Sequence, residues 1–190
     1  MQAVTALVLV LANSSPWTFA TSQGRLELSW SDTTPASLAV AGPPGAPTSI
    51  RLDSDTFDVG AIDLHLSGLP DPLVVVVAAA SRADTTLLEY ILLAVVDGRL
   101  QEVMPEHLTV RADEAVYIDP SPQAASVMTA VERDEDDGIP CICWPHRVTI
   151  TKYAWDGRGF SRLLRTSTTK TYPSAGAAAH AACIRGNRID

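Results

Sequence analysis

The run Leu73-Val74-Val75-Val76-Val77-Ala78-Ala79 constrains the fold more than any other segment of this chain. Its β-branched valines favour a pleated strand. It offers no polar position to turn toward water, so as a strand it must be buried on both faces. Around it, apolar runs of strand length recur at residues 4–12, 17–21, 25–30, 36–41, 48–52, 61–66, 87–96, 99–104, 115–118, 125–131, 147–155 and 160–166. They are separated by proline, glycine and Asp-Gly, the punctuation of antiparallel strands joined by turns. We therefore expect a mainly β fold, an antiparallel sandwich or barrel-like domain with a short C-terminal helix.

Composition and charge narrow the class. Apolar residues make up 46% and charged residues 19% of the 190, which excludes a disordered chain and a coiled coil. A chain of this length buries roughly 70% of its unfolded surface. A single β-rich domain over residues 1–190 can then stand without a structural metal. The formal charge of −8 and the pI near 4.9 argue against nucleic acid or an anionic membrane as partner. The apolar run 4–12 is far shorter than the ~20 residues a transmembrane helix needs. Met1-Gln2 before it brings no basic residue of a signal peptide. We read the run as a buried strand and expect no transmembrane segment.

Residues 42–47, Gly-Pro-Pro-Gly-Ala-Pro, can form neither helix nor central strand and read as a long loop inside the domain. Two hairpins centre on Asp97-Gly98 and Asp156-Gly157, since Asp-Gly suits the type I′ turn. A two-residue turn opposes Val95 to Leu100 and Leu92 to Val103 in the first. In the second it opposes Trp155 to Arg158, Tyr153 to Phe160 and Ile150 to Leu163. The alanine-rich tail, near 174–185, reads as a helix with Ser174 as N-cap and Gly186 as its stop.

The string Tyr153-x-Trp155-Asp156-Gly157-x-x-Phe160, followed by Lys170-Thr171-Tyr172-Pro173-Ser174, resembles the closing hairpin of bacterial secreted modules of the VCBS/FG-GAP-like group. The resemblance covers the C-terminal part of the chain. It implies a secreted, periplasmic or surface β module that binds or scaffolds. The group's calcium loop, Asp-x-Asp-Gly-Asp-Gly, has its nearest counterpart in Asp134-Glu135-Asp136-Asp137-Gly138. Here Ile139-Pro140 stand where a further ligand belongs.

Little in the chain spells catalysis. No nucleophile elbow, phosphate loop, dinucleotide fingerprint or zinc-protease string occurs, so we expect no catalytic residue and no cofactor. The acidic run Glu132, Asp134, Glu135, Asp136, Asp137 lacks the alternation and closing acid of a calcium loop and reads as solvated. Cys141, Cys143, His146, His180 and Cys183 could together supply zinc ligands, but not at the usual spacings, so no metal is assigned. Cys143 or Cys141 could instead bridge Cys183, pinning the terminal helix to the sheet; the odd cysteine count also fits a reduced protein with unlinked thiols. His65, Asp53, Asp55 and Asp58 fit strand and turn positions. Trp17, Trp30, Trp144 and Trp155 could face a carbohydrate or fill the core.

These readings converge on a non-enzymatic β module for a protein partner or a larger assembly. Its contact is expected on the second hairpin, at Tyr153, Phe160, Arg162 and Arg165, where Lys152 and Arg158 add to a basic spot in an acidic chain; the terminal helix is the other candidate to cover that face. The alternatives are a hydrolase working through carboxylates and a carbohydrate-binding module using exposed tryptophans. A concave pocket holding two perturbed acids would mark the hydrolase.

Overall fold

A computed structural model describes residues 16–31, 36–119, 127–139, 143–184 and 186–189. The strand expected at 4–12 lies outside the described residues. The others form three antiparallel sheets. The first contains β1 (Trp17–Thr21), β2 (Gly24–Ser31), β3 (Ser37–Ala41) and β4 (Ser49–Arg51), in sequence order. The second runs β5 (Thr56–Leu64), β6 (Leu73–Arg82), β7 (Thr85–Val96), β8 (Arg99–Glu102), with β9 (Leu108–Arg111) also paired to β7. The third has the order β13-β12-β11-β10-β14, made of β10 (Ala115–Asp119), β11 (Val127–Arg133), β12 (Val148–Trp155), β13 (Phe160–Ser167) and β14 (Asn187–Ile189).

The second sheet is the middle layer, and its sequence says why. Along β6, Leu73, Val75 and Val77 pack toward the third sheet while Val74, Val76 and Ala78 pack toward the first. On β7, Tyr90, Leu92 and Ala94 alternate with Ile91, Leu93 and Val95 in the same way. Side chains of a strand alternate between faces, so only an unbroken apolar run can serve two cores at once. Each buried leucine or valine contributes about 1.5–3 kcal/mol. Polar ties assist: the Ser22 hydroxyl and amide donate to the two oxygens of buried Asp71, joining the β1–β2 turn to the loop before β6. The Tyr90 hydroxyl donates to the Ile189 carbonyl at 3.0 Å, fastening β14.

The outer face of the third sheet carries the one described helix, α1 (Ala175–Ala181). Ala175, Ala178 and Ala179 lie on Ala115, Val131, Val148 and Ile150, small side chains allowing close approach. The Ser174 hydroxyl accepts from the Ala177 amide at 3.1 Å, as expected of the N-cap. The stop differs from expectation. Cys183 takes the left-handed φ of +52°, its amide donating to His180 and that of Ile184 to Ala179. That is a Schellman ending several residues before Gly186. Gly186 serves β14 instead: at φ +128° it passes so close to Ile118 that a Cβ would meet its carbonyl oxygen at 2.7 Å.

The 42–47 loop joins β3 to β4, which pair with each other. It folds over β8, where the Leu100 amide donates to the Pro44 carbonyl at 2.9 Å.

Candidate functional site

The first hairpin forms as read. Asp97 and Gly98 have φ of +52° and +74°, and Val95 faces Leu100. The Val103 amide reaches the Leu92 carbonyl at 2.9 Å. The second does not. Its loop holds four residues, and the pairs are Trp155 with Phe160 and Tyr153 with Arg162. The reason lies in Asp156, whose Oδ1 accepts from the amides of both Arg158 and Gly159 at 2.9 Å. Its own amide donates to the Gly159 carbonyl. A carboxylate that satisfies two loop amides stabilises the wider turn. The aromatic pair is therefore Trp155 and Phe160, edge to face at 5.4 Å, rather than Tyr153 and Phe160.

This shift redistributes the residues expected to bind a partner. Phe160 is buried in the core between the second and third sheets, and Tyr153 packs half-buried against it. The opposite face, at Ile150, is covered by α1. Arg162 and Arg165 are exposed on β13, the outermost strand of the third sheet. Between them the register slips: Tyr153 faces Arg162 and Lys152 faces Leu164, leaving Leu163 as the extra residue of a bulge. Leu163 is 68% exposed and Leu164 46%. The two-residue turn would have set Leu163 against Ile150; with the wider loop Ile150 faces Thr166 instead.

A second feature is a cleft of about 530 Å³, lined by Thr109, Arg111, Glu114, Glu132, Arg133 and Arg165 among others. Glu114 is buried, and burial pushes its carboxyl above the usual range against the pull of two backbone amides. Those amides are Arg111 N on Oε2 at 2.7 Å and Arg133 N on Oε1 at 2.8 Å. Both oxygens thus work as a clamp between strand ends. Glu132 is also raised, by burial first and then by the charge of Glu114, with Arg165 opposing.

The remaining candidates are dispersed. Cys183 is a free, exposed thiol and Cys143 is disulfide-bonded, so the possible Cys143–Cys183 bridge is not formed. Cys141 lies outside the described residues. His146 is buried, its Nδ1 2.7 Å from Asp137 Oδ2, while His180 is exposed on α1. Of the acidic run, Asp137 is committed to His146 and to the amides of Ile139 and Arg147. Asp134 Oδ1 accepts from the Asp136 amide. Among the described residues no group of three or more His, Cys, Asp or Glu side chains is placed to hold a metal ion. Asp53, Asp55 and Asp58 serve turns and strand starts, with Asp53 accepting from Arg82 at 2.8 Å. The four tryptophans each pack against a core cluster, and none is exposed. No helix among the described residues is long and apolar enough to cross a membrane.

No protein-family model, curated protein or solved structure matches the chain.

Proposed function

We propose that this chain is a non-enzymatic β module that binds a protein partner, or takes its place in a larger assembly, through the outer strand of the β12–β13 hairpin. One observation carries the reading: Arg162, Leu163, Leu164 and Arg165 stand exposed together on a strand that, among the described residues, is paired on one side only. Two open leucines flanked by arginines have the composition of a contact patch rather than of a solvated edge. The net charge of −8 favours a protein over nucleic acid as the partner. The reading takes the module as exported, in line with the resemblance to VCBS/FG-GAP-like secreted modules; the disulfide at Cys143 supports an oxidising compartment.

The test is co-purification from the producing cell with wild type and with the double variant Arg162→Glu, Arg165→Glu. A stoichiometric protein retained by the wild type and lost by the variant, at a nearly unchanged melting midpoint, is the expected result. Full retention by the variant contradicts it.

A second reading, a hydrolase acting through carboxyls, is favoured by the two raised acids Glu114 and Glu132 in one cleft. Glu114 has both oxygens on backbone amides, which leaves Glu132 as the acid free to exchange a proton. Hydrolysis of a chromogenic ester or glycoside, abolished in Glu132→Gln, would move the assignment to this reading.

A further inference from the structure

We infer that the partner joins this module by adding an extended, acidic segment as a new strand along the free edge of β13. The inference rests on the partner-binding reading above and names what that partner presents.

The edge is open. β13 closes the third sheet, and among the described residues no strand pairs with its far side. Among the described residues only its first amide has a partner there, Phe160 donating to the Val103 carbonyl at 2.7 Å. A strand edge with free amides and carbonyls is a template for one more strand.

The charge selects the occupant. Arg162 and Arg165 lie opposite Tyr153 and Thr151, which are two residues apart on β12. The bulge at Leu163 thus brings both arginines to one face of the sheet, although they are three residues apart in sequence. Among the described residues neither has a carboxylate within ion-pair distance. Leu164 lies opposite Lys152, on the other face. An incoming strand therefore meets cations with alternate residues on one face and Leu164 with the residue between them, which asks for an acid–apolar–acid pattern. A second copy of this chain fits badly. The antiparallel self-pairing that sets Leu163 on Leu164 also sets Arg162 on Arg165, and like charges directly opposite destabilise a pair.

Three peptides test this: acetyl-(Glu-Val)4-amide, acetyl-(Lys-Val)4-amide, and the Glu-Val peptide N-methylated on alternate residues, each titrated against the full chain by NMR. The Glu-Val peptide should bind and protect the outward amides of β13 from exchange. Binding should weaken at least about tenfold for the Lys-Val peptide, for the N-methylated peptide, and for the Arg162→Glu, Arg165→Glu variant. Equal binding of the N-methylated peptide overturns strand addition while leaving a charge-led contact at the hairpin. Equal binding of the Lys-Val peptide together with indifference to the double variant overturns the hairpin surface itself, and with it the reading above. No binding of the Glu-Val peptide, or protection in the isolated chain of the outward β13 amides beyond Phe160, overturns the inference; protection that grows with concentration would assign the edge to a second copy.

Discussion

The chain builds two hairpins on the same dipeptide, and they end in opposite situations. At Asp97-Gly98 both residues take positive φ and a tight two-residue turn joins β7 to β8. At Asp156-Gly157 the aspartate turns its carboxylate onto the amides of Arg158 and Gly159, and the loop widens to four residues. The outer strand of the first hairpin, β8, is covered by the proline-rich 42–47 loop through Pro44. The outer strand of the second, β13, has seven consecutive exposed residues from Ser161 to Ser167. A turn dipeptide thus fixes that the chain reverses; whether the returning strand is protected depends on what lies beyond it.

Both hairpins are seated in a core, and removing either seat should cost most. Phe160→Ala deletes a ring packed edge to face on Trp155 and should destabilise by ~3–5 kcal/mol; Leu100→Ala should cost ~2–5 kcal/mol. Urea denaturation measures both. A loss under about 1 kcal/mol for Phe160→Ala would mean that the second hairpin is not anchored as described.

The glycines separate the two turns more finely. Gly98, at φ +74°, sits near the left-handed region that asparagine tolerates, whereas Gly157, at φ +102°, lies beyond it. Gly157→Val should cost more than ~1 kcal/mol, and Gly157→Asn about 1 kcal/mol. Gly98→Asn should cost only a few tenths, roughly. Neither position crowds a neighbour, since nothing lies within 4 Å of a Cβ at Gly157 and only the Gln23 side chain approaches Gly98. Equal costs at the two sites would erase the distinction between the turns.

Opposite pH dependences should follow. Beside the first hairpin His107 lies between Glu89 of β7, at 2.6 Å, and Glu102 of β8, at 3.1 Å. The hydrogen bond with Glu89, outweighing burial, raises the imidazole above its usual value. A raised histidine contributes its stability in full below the unfolded value, about 6.5, and loses it as pH rises through the folded one. In the second hairpin the amides of Arg158 and Gly159 hold Asp156 below the usual carboxylate range. Its contribution is full above about pH 4 and is lost as pH falls through the depressed value. Melting midpoints against pH should lose the alkaline decline in His107→Gln and part of the acid decline in Asp156→Ala. Unaltered profiles would show that neither contact is formed.

How much of this the sequence disclosed follows from where the information sits. The alternation of β6 and β7 is local and was readable, as were the N-cap at Ser174 and the loop at 42–47. β9 and β14 escaped because strands of four and three residues carry no periodicity of their own, and neither follows a turn signal as strong as the Asp97-Gly98 pair before β8 or the 42–47 loop before β4; β9 follows a Pro-Glu-His stretch whose His107 is held by glutamates from two other strands. The cleft was hidden by register. Ala115 pairs with Val131, so one step further sets Glu114 beside Glu132, but no turn motif between β10 and β11 fixes that pairing in advance. At Asp156 the same dipeptide that makes a two-residue turn at Asp97 instead opens a four-residue loop, and the second glycine, Gly159, is the local hint of it.

The contrast between a covered and an open outer strand can be measured directly by amide hydrogen exchange on the isolated protein. The Leu100 amide, bonded to Pro44, should exchange only with global unfolding, while the amides of β13 beyond Phe160 that face away from β12 should exchange near the unprotected rate. Protection of those β13 amides equal to that of Leu100 would contradict an open edge.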